Sequence, residues 1–419
     1  MGYALILILA WFGFAVIALA VLHRRALAAV WREPVLARPV LIVESDDWGP
    51  GPEEDAAALR EIAATLGAVR DRGGRSAVMT LGVVGGVPDA AAIRASGFSL
   101  YARRSLLEPD FAPIVAAMCD GCRAGVFALQ RHGLEHFWPA SLMARLRVAD
   151  GCNSEGILRW LDEGGLRSEA LPSPLQSRWV DCTCLPSAPL DPVAVAQAVH
   201  EETDLLQRVF GGAPEVAVPN TFVWDDGVEQ AWAAHGVRVV VTPGWRYEGR
   251  DAAGRLLPPA RRIRNGEIGR GGVTYVVRDA YFEPVRGHRA EDVTAALARK
   301  CGEGRPLLLE THRESFIGPP PARVAAVAEL GRALRMAQSV RPDLCFTTTA
   351  ELAQALRDAA SPLRERRWTP RLAAWCARVC NEPGVARLLK YSGLGALLGA
   401  ARYLLGDVTY RRSPDAGRC

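Results

Sequence analysis

From residue 39 onward, short apolar runs alternate with amphipathic stretches of helical length. The short runs predict strands, and apolar residues at three- and four-residue spacing predict helices. Because the runs are almost continuously apolar, we expect strands that are covered on both faces, as in a parallel sheet. The predicted strands span residues 39–44, 76–84, 124–129, 215–218, 237–241, 273–278, 306–310 and 344–347.

Helical patterns fill most of the intervals between these strands, and one long Gly- and Arg-rich excursion spans residues 244–272. The predicted helices span residues 53–72, 140–148, 155–162, 192–210, 226–235, 290–301, 323–338 and 350–359. Such alternation is typical of an α/β fold with a mainly parallel sheet that can close into a barrel. We therefore predict a distorted (β/α) barrel over residues 36–359.

The first residues carry a different pattern. Residues 3–22 contain no charged side chain, and about 20 apolar residues suffice to cross a bilayer. A basic region of the kind that opens a cleavable signal peptide is missing before this run, although residues 18–20 could form a cleavage site. We predict a transmembrane anchor over residues 1–25. His23, Arg24 and Arg25 follow the run, which favours a body on the cytoplasmic face of a bacterial-type inner membrane.

The charge of the chain is unevenly distributed. The net charge is +4, but residues 361–419 hold eleven basic and four acidic side chains, which leaves −3 for the remainder. Residues 360–419 are predicted to form a basic, partly amphipathic helical tail. The tail either binds anionic membrane lipid or packs on the domain as a helical pair. The body has no basic stripe with interleaved aromatic residues, so nucleic acid is not an expected partner.

Composition narrows the class of protein further. With 49% hydrophobic and 23% charged residues, the chain is an ordinary globular protein. Ten cysteines at irregular spacings do not suggest a disulfide framework. The pairs at 119/122 and 182/184 lack partners at zinc-finger spacing, so simple thiols are expected there.

Acidic and histidine side chains lie at the ends of three predicted strands, where barrel enzymes place their functional residues. Asp46 and Asp47 follow the first strand, and their side chains should diverge. His132 and His136, four residues apart, are expected on one side of a helical turn. Two histidines and one carboxylate can hold a divalent metal that lowers the pKa of a bound water. The other carboxylate would then serve as a base and His312 as an acid, a set suited to amide or ester hydrolysis.

Other interpretations of these residues stay open. Adjacent aspartates are often turn or capping residues, and the second such pair, Asp225 and Asp226, is interpreted as a helix cap. A glycoside hydrolase would use two carboxylates without a metal, for example Asp46 with Glu135 or Glu310. A catalytically degenerate, membrane-anchored carbohydrate-binding protein is the alternative that is not an enzyme.

Three segments together resemble the motifs of the polysaccharide deacetylase family, carbohydrate esterases that include chitin-oligosaccharide deacetylases. Residues 44–49 (ESDDWG) resemble its Thr-Phe-Asp-Asp-Gly motif, residues 132–136 (HGLEH) its His-Ser/Thr-x-x-His motif, and residues 309–312 (LETH) its Leu-x-His motif. The resemblance extends over about residues 39–359 and implies a distorted barrel. It also implies removal of N-acetyl groups from a polysaccharide or glycolipid sugar.

The resemblance implies a role for each matching residue. Asp46 would be the general base, and Asp47, His132 and His136 would bind the metal. That metal would be zinc, with cobalt or nickel as alternatives. His312 would be the acid that protonates the leaving amine.

The chain departs from the family at its third motif, Arg-Pro-Pro-Tyr. Residues 218–222 (VPNTF) keep one proline and lack the arginine. The Asp-Trp element that orients the base in the family is not found as such either, and Arg278-Asp279 or Arg313 is a candidate to replace it. The residues expected to contact substrate are Trp48, Asn220, Arg278 and Arg313.

Overall fold

A curled parallel sheet forms the centre of the molecule in a computed structural model, which describes residues 2–147, 152–259 and 261–405. Its strands and a separate antiparallel pair, β3–β4, are β1 (Val40–Trp48), β2 (Met79–Val83), β3 (Gly86–Pro88), β4 (Arg103–Ser105), β5 (Phe127–Arg131), β6 (Val216–Ala217), β7 (Val239–Thr242), β8 (Thr274–Val277), β9 (Ala280–Tyr281), β10 (Leu307–His312) and β11 (Cys345–Phe346). The sheet has the order β8-β7-β6-β5-β2-β1-β10-β9, with β11 also paired to β1. Its pairings are parallel.

Helices cover the outside of the sheet and continue at both ends of the chain. They are α1 (Gly2–Leu22), α2 (Arg24–Arg32), α3 (Glu53–Gly67), α4 (Ala90–Ala95), α5 (Ala112–Arg123), α6 (Pro139–Arg147), α7 (Cys152–Asp162), α8 (Pro192–Phe210), α9 (Asp226–Ala234), α10 (Ala290–Gly302), α11 (Pro320–Val340), α12 (Thr349–Arg357), α13 (Trp368–Cys380), α14 (Val385–Ser392) and α15 (Leu394–Leu405). The alternation expected over residues 36–359 is present. Among the elements that the sequence pattern did not predict are α4, α5, β3, β4 and β9.

The two edges of the sheet are consecutive in sequence. Only Arg278 and Asp279 separate β8 from β9, and three peptide steps span at most about 11 Å. The sheet therefore curls until its edges approach, although β8 and β9 are not paired. The predicted distorted barrel is confirmed as this curled, incompletely hydrogen-bonded sheet.

The side-chain alternation of β1 decides which residues enter the barrel. Leu41 and Val43 pack outward in the core beneath α3, α5, α10 and α11, whereas Val40 and Ile42 belong to the cluster that includes α12. Each such buried aliphatic side chain contributes about 1.5–3 kcal/mol. Because side chains alternate along a strand, Glu44 and Asp46 share the inward face with Ile42. The pattern that builds the core thus directs two carboxylates into the barrel.

The first helices do not form the single membrane span that the sequence predicted. Among the described residues, no one helix is long and apolar enough to cross a bilayer, although Ile6–Leu22 and Arg24–Arg32 meet the criterion together, bent by 74°. The run is interrupted at His23, where one helix ends and the next begins. The predicted transmembrane helix is therefore not supported, and the location of the body on the cytoplasmic face stays a prediction.

The predicted basic tail is helical and packs on the N-terminal helices. Ala15 and Leu19 of α1 are buried against Val379, Val385 and other apolar residues of α13–α15. Arg378 is fully buried, and its guanidinium donates hydrogen bonds to four backbone carbonyl groups, those of residues 33 and 34 and of residues 303 and 304. The two ends of the chain are thus joined to each other and to the barrel. Residues 406–419 of the predicted tail lie outside the described residues.

Candidate metal and active site

Three potential metal ligands converge at the carboxyl ends of β1 and β5. Asp47 Oδ1 lies 3.2 Å from His132 Nε2 and 3.3 Å from His136 Nε2, and the three ligand atoms lie within 4.8 Å of one another. The two imidazole rings are 5.0 Å apart, edge to face. No other cluster of this kind occurs in the described residues. The three residues are those that the sequence singled out.

The hydrogen bonding of His132 fits a metal ligand. Its Nδ1 donates to the carbonyl oxygen of Val218 over 2.9 Å, and a carbonyl oxygen can only accept. In the neutral ring, Nε2 therefore carries the lone pair and faces Asp47 Oδ1. Burial would lower the pKa of His132, but Asp46 and Asp47 raise it, so in the metal-free chain a proton can lie between these two atoms. A bound cation would replace that proton. A carbonyl partner on the far nitrogen is the usual arrangement for a ligating histidine.

The second histidine is suited to the same task. Burial lowers the pKa of His136 to about 4, despite the opposing charge of Asp47. The ring is therefore neutral at pH 7 and free to offer a lone pair. Burial would raise the pKa of Asp47, but the nearby His136 and His132 lower it well below its usual range. One anionic and two neutral donors are the set that a divalent transition metal binds in catalytic sites.

Backbone geometry, not a helix, brings the histidines together. Residues 132–138 are not helical, contrary to the helical turn that the spacing predicted, and the chain bends at residues 134–137. Gly133 has a φ of +91°, and a Cβ there would lie 2.6 Å from the carbonyl oxygen of Glu135. Asp47 also adopts a left-handed φ of +71°, where the register of β1 and β2 shifts between Ser45 and Trp48. These departures turn Asp47 towards the histidines, while Asp46 keeps its strand direction.

Asp46 is 2% exposed and lies beside an arginine from the far edge of the sheet. Arg278 Nη2 donates to Asp46 Oδ2 over 2.6 Å, and Gln130 Nε2 lies 3.3 Å from Oδ1. Burial would raise the pKa of Asp46, but the guanidinium and nearby imidazoles lower it. The carboxylate therefore stays ionised at neutral pH, as a base requires. Gly82 makes room for it, since any Cβ at that position would clash with Asp46.

His312 ends β10 opposite Asp46 in the strand register. Its Nδ1 bonds to Glu283 Oε1 over 2.5 Å, and Glu283 Oε2 accepts hydrogen bonds from Thr311 and Ser315. Burial would lower the pKa of His312, but the bond to Glu283 and the charges of Asp47 and Asp46 raise it to about 9. At neutral pH the ring is thus protonated and can act as an acid through Nε2. The sequence did not single out Glu283, which follows the short strand β9.

Replacing Glu283 by glutamine is expected to lower the pKa of His312 from about 9 towards the ordinary value near 6.5. Because the pKa of His312 is raised in the folded wild-type chain, its protonated ring stabilises the fold. This stabilisation is complete below about pH 6.5 and is lost as the pH rises towards 9. NMR titration of the imidazole in metal-free protein would measure this change. Glu163→Gln, an exposed site outside the cavity, is the matched control. An unchanged His312 pKa in Glu283→Gln would contradict the assignment.

The predicted acid, base and metal ligands line one cavity of about 280 Å³. Its wall also carries Phe222, Tyr281 and several acidic side chains, including Glu169, Glu310 and Glu314. A smaller recess of about 20 Å³ lies beside Asp47 and His136, and its lining includes the apolar residues Val84, Val87, Phe137, Trp160 and Leu166.

Of the four residues expected to contact substrate, Arg278 alone lines the larger cavity of about 280 Å³. Trp48 is fully buried in the core, with its indole N–H bonded to Ser45, so it cannot touch a ligand. Asn220 is also buried and donates to the carbonyl oxygen of His132. Arg313 pairs with Asp55 and donates to Pro50, which holds the segment after β1. Asn220 therefore supports the site from behind, whereas Arg313 also lines the smaller recess beside Asp47 and His136.

The second aspartate pair contains a helix cap, as expected. Asp225, rather than Asp226, is the N-cap of α9 and accepts a hydrogen bond from the backbone N–H of Val228. Asp226 pairs with Arg246 and Arg270. The thiols of Cys119, Cys122, Cys182 and Cys184 are free, in agreement with the prediction.

Comparisons with known proteins give distant structural similarities. No family model matches the sequence, and no curated protein matches it. A family 4 acetyl xylan esterase from Clostridium thermocellum, solved with cobalt, is 11% identical with a TM-score of 0.36, covering 75% of this chain and 90% of that one. The peptidoglycan deacetylase PdaC from Bacillus subtilis is 11% identical with a TM-score of 0.34, covering 76% and 91%.

A further match is a 4-alpha-glucanotransferase from Thermococcus litoralis, 12% identical with a TM-score of 0.36. It covers 76% of this chain, and the chain spans 40% of its length. At these identities and TM-scores the similarities decide neither the family nor the activity of this chain. The activity has to be argued from the site itself.

Proposed function

We propose that this protein is a metal-dependent hydrolase that removes N-acetyl groups from a sugar of a polysaccharide or glycolipid. One observation carries the proposal. A buried carboxylate base, a protonated histidine and a two-histidine, one-carboxylate cluster line the same cavity. Neither a structural metal site nor a simple carbohydrate-binding cleft needs an acid and a base beside its ligands.

Asp47, His132 and His136 would hold the cation, with zinc, cobalt or nickel as suitable ions. Bound there, a divalent ion supplies Lewis acidity towards water and the substrate carbonyl oxygen. Asp46, whose carboxylate is held by Arg278 Nη2 at 2.6 Å, would take the proton of the attacking water. His312 would give a proton from Nε2 to the leaving nitrogen, while Glu283 holds Nδ1. Acid and base would thus act from two neighbouring strands, as register partners at the carboxyl end of the β1–β10 pair.

The smaller recess is consistent with a short acyl group. It adjoins two of the proposed ligands and is largely apolar, as a methyl group prefers. A volume of about 20 Å³ is little more than one water-sized probe. The methyl group of an acetyl would fit there, whereas a longer acyl chain would require the apolar wall to move.

The glycoside hydrolase alternative has less support, because the carboxylates it needs are not free to flank a sugar. Glu135 is buried and paired with Arg103 and Arg178. Asp46 and Glu310 both contact Arg278 and therefore lie on one side of the cavity. The degenerate binding protein was suggested by the arginine missing from the third motif. Arg278, in the link between β8 and β9, supplies a guanidinium to Asp46 instead, which weakens that reason.

Acetate release from N-acetylglucosamine oligosaccharides tests the proposal. The full chain loaded with Zn²⁺ or Co²⁺ should release acetate and a free amine, and chelation should stop the reaction until metal is restored. Stoichiometric acetate and amine should appear without any shortening of the oligosaccharide. Chain cleavage that persists in a chelator would instead favour the glycoside hydrolase, and sugar binding without acetate release would favour the degenerate protein.

A further inference from the structure

Glu310 is a buried carboxylate in the cavity to which the proposed mechanism gives no task. It lies two residues before His312 on β10, so both side chains project from the same face of the strand. Its side chain is 5% exposed, yet it forms part of the cavity wall. Glu310 Oε1 is 3.9 Å from His312 Nε2, which is too long for a hydrogen bond.

The side chains around Glu310 are hydrogen-bonded to one another, whereas the Glu310 carboxylate has no hydrogen bond among the described residues. Arg278 donates from its two terminal nitrogens to Glu44 and Asp46, and Glu44 also accepts a hydrogen bond from Thr349. Arg278 Nε lies 3.4 Å from Glu310 Oε2, and both atoms are buried without a hydrogen-bond partner among the described residues. Buried polar atoms are nearly always paired. The second oxygen, Glu310 Oε1, has no hydrogen bond among the described residues either, and it lies 3.9 Å from His312 Nε2. In the cavity wall this oxygen is an acceptor to which a donor on the ligand can bind.

We infer that Glu310 is a specificity-determining residue that accepts a hydrogen bond from the N–H of the scissile amide. This inference rests on the proposed function, in which His312 Nε2 meets the leaving atom. An atom in contact with that Nε2 lies within reach of Glu310 Oε1, given their separation of 3.9 Å. An amide nitrogen carries a hydrogen that can be donated there, and an ester oxygen carries none.

The same contact would orient the nitrogen. During hydrolysis of an amide, the tetrahedral nitrogen has one N–H and one lone pair, which point in different directions. When Glu310 accepts the N–H, the lone pair is left for the proton that His312 gives. The free amine formed is basic, and its ammonium form is attracted by the carboxylate. With an ester, the oxygen lone pairs would instead face the carboxylate and be repelled.

A site with a buried acceptor discriminates against analogues that lack the donor, because the acceptor is then left unpaired. The structure thus assigns the protein to N-acylated rather than O-acylated sugars, and names Glu310 as the residue responsible. Glutamine at this position keeps an acceptor oxygen but loses the charge, whereas leucine loses both. The two substitutions should therefore give a graded response.

The test compares an amide and an ester that release the same acid, N-acetylglucosamine oligosaccharides and acetylated xylo-oligosaccharides, with the Zn²⁺-loaded full chain. Dividing each variant's kcat/KM by the wild-type value for the same substrate removes the intrinsic reactivity difference. Glu310→Gln is expected to lose about 10-fold and Glu310→Leu about 100-fold on the amide, as for a charge-assisted hydrogen bond. On the ester both should stay within about twofold, or improve. Glu163→Gln is the matched control.

A second readout does not depend on turnover. Glucosamine oligosaccharides, the amine products, should bind metal-free wild-type chain about 10-fold more tightly than Glu310→Leu, measured by calorimetry. Melting temperature and Zn²⁺ stoichiometry of the variants show whether the fold and the ligand cluster are intact. Equal losses on amide and ester, or unchanged amide hydrolysis in Glu310→Leu, would overturn the role of Glu310 and leave the hydrolase intact. A wild-type chain that releases acetate from neither substrate overturns the proposed function itself.

Discussion

Alanine at Asp47 or at His132 is expected to abolish both metal binding and hydrolysis. Wild-type chain should bind about one equivalent of Zn²⁺ or Co²⁺, as a three-ligand catalytic site does, and either variant should fall to background. Each substitution removes one of only three protein ligands in the cluster. A metal supplies several kcal/mol of transition-state stabilisation, so kcat/KM should fall on the order of 10³-fold or more. Elemental analysis after dialysis gives the stoichiometry, and acetate release gives the rate.

The matched control is His200→Ala, because His200 is an exposed histidine outside the cavity. It should keep full metal content and activity. Circular dichroism and thermal unfolding show whether Asp47→Ala and His132→Ala remain folded. Full occupancy in either folded variant would exclude this cluster as the metal site.

The strands and the polar residues at their ends could be predicted because each depends on local sequence. The alternation of β1 buries Leu41 and Val43 on one face and directs Asp46 to the other. Once the sheet is parallel, the ends of β1, β5 and β10 must lie at one edge, so Asp47, His132 and His312 approach each other. This much of the site follows from the period of two and the connection rules for parallel strands.

What could not be predicted depends on contacts between distant segments. Arg278 reaches Asp46 only because the sheet curls until β8 and β9 approach, and no local pattern gives the degree of curling. Glu283 follows β9, a strand of two residues that is too short to leave a periodic signal. A helical turn was predicted at His132 and His136 from their spacing of four residues. Gly133 adopts a positive φ instead, so the chain brings the two histidines together without a helix. Trp48, expected to contact substrate, is instead buried in the core at the end of the segment where the register of β1 and β2 shifts. A shift that depends on the pairing of two strands leaves no local signal.

Asparagine at Asp46 should separate chemistry from metal binding. The change keeps the size of the side chain but removes its charge and its basicity. If Asp46 is the general base, kcat should fall by about 10²–10⁴-fold, while Zn²⁺ stoichiometry stays at the wild-type level. Substrate binding should change less than kcat, because a base acts mainly in the transition state. This result would differ from that of the ligand variants, which lose metal and activity together.

Asp225→Asn is the matched control, since Asp225 caps α9 and asparagine is an equally good N-cap. It should retain full activity.

The acid limb of the wild-type pH–rate profile gives an independent check. The pKa of Asp46 is lowered in the fold, so activity should persist well below neutral pH and be lost only when that carboxylate is protonated. In Asp46→Asn the residual rate should no longer depend on this ionisation. If Asp46→Asn hydrolysed the amide at the wild-type rate with metal bound, the proton of the attacking water would have to go to another group. Glu310 would then be the nearest candidate, because it shares Arg278 with Asp46.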